Sequence, residues 1–420
     1  MQIVRRRLVL YIPGYDPVPP RRYRELYRMQ SAKQAAISGF EMVLLPKLSS
    51  GRFGWHVETN IEGQTVRTDF EILPWSDLVR SSMAQGIVAT YRQLLTTVWI
   101  YVASGSLRRL ARLRKGAVLA ALYPVVMLVV QLALAVALGA GMAAGLWEMV
   151  SPWLAPLGVV VVGGVLVLFR RLDGRFFAYY LMHDYAFSAQ ANGAYPAALE
   201  ARLAVFKQAV VEGLQRYVDE VLVVGHSSGA YLAVSVLADV LRAVRLAPNG
   251  PMLNFLSLGQ VVPMMSFLPN AMRLRGDLQY LAGCDQMAWV DVSALGDVCA
   301  FALCDPVAVT GVAPVSQYWP VVFSAAFSQT LSPARWRRIR WRFLRVHFQY
   351  LCAFDCPNDY DYFQITAGPS TFVPLKIASQ AISLARSVAA VSVVKYGLPV
   401  PAAKIHTRLF SRWRTARRRI

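Results

Sequence analysis

The residue in this chain best suited to act as a nucleophile is Ser227, in Gly225-His226-Ser227-Ser228-Gly229. It follows the aliphatic run Val221–Val224 and precedes a segment of helical apolar spacing that starts near Ala230 and covers Tyr231–Leu246. A strand turning sharply into a helix lifts a serine hydroxyl onto a strained turn. The helix start then supplies unsatisfied N–H groups and a partial positive charge. Glycines on both sides let strand and helix approach without a side chain between them. The chemistry is acyl transfer: Ser227 Oγ attacks a carbonyl and the N–H groups hold the oxyanion. The same five residues would also make a turn with no chemistry. Histidines at 56, 183, 226, 347 and 406 are the available bases. Cysteines at 284, 299, 304, 352 and 356 include no Cys-x-x-Cys pair and no histidine at zinc-like spacing. Cys352-x3-Cys356 is their closest pair, and buried reduced thiols are the simpler reading. Nothing calls for a metal or an organic cofactor.

Gly-His-Ser-x-Gly between a strand and a helix resembles the α/β-hydrolase superfamily, in which this motif is frequent among lipases and esterases. The resemblance covers most of residues 1–15 and 220–350. It implies a triad in the chain order Ser, Asp, His and an oxyanion hole built partly from a loop after an early strand. That order leaves His347 and His406 as the base. His406 lies in a basic tail, so His347 is the choice. The acid is expected beyond a late strand, often followed by an aliphatic residue. Asp297-Val298, after the run Met287–Val292, fits best, with Asp291 and Asp305 as alternatives. Ile12-Pro13-Gly14-Tyr15 looks like the oxyanion turn, so Gly14 and the N–H groups of Tyr15 and Ser228 would form the hole. Gly14 serves equally well as a turn glycine.

These groups need a scaffold. Arg7–Ile12, Trp55–Glu58, Val66–Leu73, Val221–Val224, Leu253–Leu258 and Met287–Val292 read as strands. Glu62-Gly63 between the second and third suggests a hairpin or paired strands. Leu199–Tyr217 and Tyr231–Leu246 read as helices. Alternating strands and helices predict an α/β fold, a mostly parallel sheet flanked by helices, with a two-helix transmembrane insertion. Residues 1–105 form the first part of the hydrolase domain, 106–175 the insertion, 176–400 the main part and 401–420 a basic tail.

The insertion is read from charge. The chain has only 16% charged residues, where soluble domains carry about 25%. Gly116–Trp147 and Pro152–Phe169 contain no charged residue, and a spanning helix needs about 20 apolar residues. The spans are placed at about 117–147 and 152–169. The short link Glu148–Ser151 makes them a hairpin, with Pro124 a kink near one end. Arg108, Arg109, Arg112, Arg114 and Lys115 precede it, and Arg170, Arg171 and Arg175 follow it. The positive-inside rule then puts both outer ends, the catalytic domain and both termini in the cytoplasm. Met1–Gly14 has too short an apolar run for a secretory signal and reads as a first strand. A hairpin buried in a soluble core is the competing reading.

The net charge of +20 favours anionic partners. Ala334–His347 interleaves six arginines with two tryptophans, and Lys404–Ile420 has seven Lys/Arg and no acid. Beside an apolar hairpin these suit a bilayer surface better than nucleic acid, and the first also suits a solvated helix face. The functional expectation is a membrane-anchored serine hydrolase whose partners are the bilayer and a lipid or lipophilic ester. An acyltransferase with the same triad and an inactive membrane scaffold are the alternatives.

Overall fold

A computed structural model describes residues 3–47 and 51–371. The 401–420 tail, with His406, and residues 372–400 lie outside them. In chain order, strand β1 (Arg6–Ile12) is followed by helix α1 (Arg21–Ser38), then β2 (Glu41–Pro46), β3 (Gly54–Ile61) and β4 (Gln64–Ile72). Eight helices come next: α2 (Ser76–Met83), α3 (Ile87–Ala103), α4 (Ser106–Leu113), α5 (Lys115–Met149), α6 (Leu157–Arg171), α7 (Asp173–Phe176), α8 (Ala178–Ala189) and α9 (Ala197–Leu214). Then follow β5 (Glu220–His226), α10 (Ser228–Ala243), β6 (Met252–Leu258), β7 (Met287–Ser293) and β8 (Val321–Ser324).

The chain forms two compact units. The first, built from Met1–Asp77, Tyr195–Phe267 and the residues from Ala271 on, holds one sheet in the order β2-β3-β4-β1-β5-β6-β7-β8. From β4 through β8 the neighbours are parallel, while β2–β3 and β3–β4 are antiparallel. The expected mostly parallel sheet is therefore corrected to a mixed one, within an α/β fold. The cause is local. Glu62 and Gly63 both take left-handed φ (53° and 74°), which closes β3 onto β4 in a two-residue hairpin. A hairpin can only return the chain antiparallel, whereas the parallel neighbours need helical crossovers.

β5 lies at the middle of the sheet and every one of its residues is buried. Its aliphatic run is what a strand covered on both faces requires. Glu220, at its buried start, is held by Arg7 Nε (2.5 Å) and Asn254 Nδ2 (2.6 Å). Under one face lies an aromatic core that includes Tyr27, Trp55, Phe70 and Phe363, with Trp55 and Phe70 stacked 5.0 Å apart.

The second unit is Leu78–Ala194 with Leu268–Asn270. Besides the 106–175 segment it includes α3 and α8. Two of its helical stretches, Lys115–Met149 and Pro152–Arg171, are long and apolar enough to cross a bilayer. α5 and α6 meet at Gly139 and Gly158: a Cβ on Gly139 would lie 2.6 Å from Gly158 O. Small residues at a crossing let two backbones touch, the usual way apolar helices pack without polar glue.

Candidate active site

Ser227 sits between β5 and α10 with φ 56° and ψ −121°, a backbone conformation that side-chain-bearing residues rarely adopt. Neighbouring close contacts enforce it. A Cβ on Gly225 would lie 2.7 Å from Gly229 O, and one on Gly229 would lie 2.2 Å from Ile12 O. The two glycines therefore let α10 start directly against β5 and the end of β1. Ser227 N–H donates to Leu258 O (2.9 Å), which ties the turn to the end of β6. Ser227 is half-buried, while Ser228, the first residue of the sixteen-residue α10, is buried.

The Gly14 turn follows β1 and lies against the serine. A Cβ on Gly14 would meet Ser227 Cβ at 2.9 Å and Ser227 Oγ at 3.5 Å. Tyr15, next in the chain, is buried with its ring edge-on to Trp75 (centroids 5.9 Å apart). Trp75 Nε1–H donates to Pro13 O (2.9 Å), which braces the same turn.

His347 and Asp297 meet. His347 Nδ1 lies 2.7 Å from Asp297 Oδ2, and both side chains are buried. A carboxylate can only accept, so Nδ1 carries the proton and Nε2 is the nitrogen able to take another. Asp297 accepts two further bonds, from Cys299 N–H to Oδ1 (2.9 Å) and from the Tyr350 hydroxyl to Oδ2 (3.0 Å). Burial alone would raise its pKa. The adjacent His347 ring and these donors outweigh burial and hold the carboxyl below the ordinary carboxylate range.

His226 links the base to the nucleophile's strand. Its Nε2–H donates to His347 O (3.0 Å), and the two rings lie 4.8 Å apart. Burial, aided by the neighbouring His347, pushes the His226 pKa down to about 3, so this ring stays neutral. Gly259, just past β6 with φ +52°, makes room on the other side. A Cβ there would lie 2.6 Å from Tyr350 Cε2 and 3.2 Å from His347 Cε1.

The two alternative acids are engaged elsewhere. Asp291, inside β7, accepts from Ser257 Oγ (2.5 Å), and burial raises its carboxyl pKa to about 7. Asp305 caps the short helix Pro306–Thr310, accepting from Val307 N–H and Ala308 N–H, with Gln317 on its other oxygen. His56 pairs with Asp69 at the surface, and His183 with Gln93. The arginine–tryptophan run divides into helices Pro333–Ile339 and Phe343–His347. Trp336 packs on Gly296, where a Cβ would meet its ring at 2.4 Å, so it braces the backbone next to Asp297. Trp341 is exposed.

Sequence reasoning missed Tyr350, Gly259 and the role of His226. The available signal for Tyr350 was its place three residues after His347, one turn on. Asp297, Cys299 and His347 also bring three potential metal ligands within 4.8 Å of one another. A cation there would have to take the position of the proton between His347 and Asp297, so it would compete with proton transfer by that pair. Burial pushes the Cys352 thiol up to about 11, the setting of an unreactive cysteine. Compared with known proteins, the chain matches no family model, no curated protein and no solved structure.

Proposed function

We propose that this chain is a membrane-anchored serine hydrolase that cleaves an ester, of a lipid or lipophilic alcohol, through Ser227, His347 and Asp297. The observation that carries the reading is the Ser227 backbone (φ 56°, ψ −121°) at the junction of β5 and α10. Such strain persists only where the surroundings over-determine it, and it concentrates at functional sites. A turn without chemistry would not need a serine there, since glycine reaches a positive φ without strain.

In this reading His347 Nε2 accepts the Ser227 hydroxyl proton as Oγ bonds to the ester carbonyl carbon. Asp297 stabilises the imidazolium without taking the proton. The oxyanion is met by the N–H at the start of α10, at Ser228, and by the Gly14–Tyr15 turn; losing one such donor typically raises a barrier by about 2.7–4 kcal/mol. His347 then returns the proton to the leaving alcohol. Water, deprotonated by His347, attacks the acyl-serine carbonyl; as the C–O bond to Ser227 breaks, His347 returns the proton to Ser227 Oγ and the acid is released. The chain order and the strand–turn–helix context resemble the α/β-hydrolase superfamily.

Membrane anchoring is supported by the apolar helices of the second unit. Only 22% and 11% of their most apolar stretches are buried, whereas the core helix of a soluble protein is mostly buried. The basic residues at both outer ends favour a cytoplasmic position for those ends, and so for the catalytic unit.

The test is labelling of the full chain, in detergent or vesicles, with a fluorophosphonate. Wild type should label and Ser227→Ala should not. Folded wild-type protein that stays unlabelled, or labelling that survives Ser227→Ala, would sink the reading.

A further inference from the structure

Helix α3 has the wrong polarity for water. It buries Thr90, Leu94, Thr97 and Tyr101. It exposes Val88 (84%), Leu95 (70%), Trp99 (71%) and Val102 (54%). At helical spacing the exposed four fall on one stripe and the buried four on the opposite one. The buried Thr90 hydroxyl is satisfied within the helix, donating to Gly86 O (3.0 Å). Arg92 and Thr96 are exposed along the edge of this otherwise apolar stripe, the profile of a helix at a boundary between polar and apolar media rather than of one facing water alone.

Two contacts fix the level at which α3 sits in its unit. The Tyr91 hydroxyl donates to Leu128 O (3.0 Å), near the middle of α5. Arg170, in the last turn of α6, donates to Gln85 O (2.7 Å), just before α3. Gly139 faces Gly158 in the antiparallel α5–α6 pair, so Arg170 is level with the part of α5 near Leu128. Arg170 is where the apolar stretch of α6 gives way to charge, which in a spanning helix marks the headgroup boundary. α3 therefore starts and packs at that boundary.

Chain topology rules out a third crossing. β4 and β5 both pair with β1, so the chain must cross a bilayer an even number of times between them. α5 and α6 already supply two crossings. A third by α3 would separate strands that are hydrogen-bonded neighbours.

We propose that α3 is a membrane-surface helix. It lies in the plane of the bilayer at its cytoplasmic face, with Val88, Leu95, Trp99 and Val102 in the acyl–headgroup boundary. The exposed arginines of α4 that follow it, Arg108, Arg109 and Arg112, meet anionic headgroups. This rests on the reading of α5 and α6 as spans, but not on the catalytic reading.

The experiment uses the wild-type full chain in vesicles of phosphatidylcholine and phosphatidylglycerol that contain a phosphatidylcholine with a diazirine high on its acyl chain. After illumination, lipid adducts are mapped by peptide mass spectrometry. Adducts are expected on α5, on α6 and on the Val88–Leu95–Trp99–Val102 stripe, and not on Thr90 or Thr97. Replacing Arg108, Arg109 and Arg112 with glutamine should lower the α3 yield about threefold or more, with α5 and α6 unchanged, because each basic residue near an anionic surface adds to binding. Adducts on α5 and α6 with none on α3, or α3 adducts shared equally between the two faces, overturn the proposal and leave the anchor standing. Absence of adducts on α5 and α6 overturns the anchor itself.

Discussion

Tyr350→Phe removes one oxygen from the candidate site and leaves the ring that packs on Gly259. The hydroxyl has a fixed role. Ala294 N–H donates to it (3.0 Å), and its own proton goes to Asp297 Oδ2 (3.0 Å). That oxygen also holds His347 Nδ1 at 2.7 Å. The variant deletes one of the donors on the carboxylate. A hydrogen bond to a charged group contributes about 1.5–3 kcal/mol, and about 1.4 kcal/mol is a factor of ten in rate. Part of that bond is common to ground and transition states, so the fluorophosphonate labelling rate should fall about tenfold, and by no more than about 150-fold. Stability should drop by about 1–3 kcal/mol, because Ala294 N–H is left buried without its acceptor. A folded variant that labels within twofold of wild type would refute the reasoning.

Gly229→Ala should unfold the first unit or lower its melting temperature sharply, since the new Cβ would sit 2.2 Å from Ile12 O and 2.6 Å from Pro13 O. Gly163→Ala, with nothing within 4 Å, is the control that should melt like wild type. Asp291 has its pKa raised to about 7 in the fold, against about 3.9 unfolded, so the folded state binds the proton more tightly. Its contribution is complete below about pH 4 and is lost as pH rises to about 7, at most on the order of 4 kcal/mol. Asp291→Asn should flatten the fall in stability over that window, and parallel unfolding curves for the two proteins at pH 5 and 8 would contradict it. Gly139→Leu should separate α5 from α6, because a Cβ alone already meets Gly158 O at 2.6 Å. Inter-helix cross-linking between cysteines placed near the Gly139–Gly158 crossing should then be lost, while the labelling of Ser227 in detergent should remain.

The parts of the fold legible in sequence are those whose cause is local. Val221–Val224 followed by Gly225 announces a strand that ends in a close approach, and β5 and α10 lie where that pattern puts them. Glu62-Gly63 signals the β3–β4 hairpin. The same signal, taken to its end, also meant an antiparallel flank, and the expectation of a mostly parallel sheet overlooked it. β2 and β8 were missed because edge strands need not be apolar on both faces. Glu41–Pro46 is largely exposed, and Val321–Ser324 is only four residues long. Helix α3 was missed for the opposite reason. Its apolar stripe was visible, but composition does not say which face turns inward, and here the threonines do. The arginine–tryptophan run shows the same limit: Trp336 braces Gly296, whereas Trp341 is exposed.

The choice among Asp291, Asp297 and Asp305 shows what spacing cannot supply. All three follow or lie within β7 inside fifteen residues of chain; Asp291 and Asp297 are buried and Asp305 is half-buried. What separates them is the number and kind of donors that each receives. Asp291 has one neutral hydroxyl on one oxygen, while its Oδ2 lacks a partner, so burial dominates and its pKa rises. Asp305 faces two backbone N–H groups at a helix start and an amide, which makes it a cap. Asp297 alone faces an imidazole N–H together with a phenol and a backbone N–H, and its carboxyl stays ionised in spite of burial. An acid that must steady a transient imidazolium has to be charged before the proton arrives. Only one of the three environments holds it so, and the donors that do this come from residues 299, 347 and 350, two, fifty and fifty-three positions along the chain.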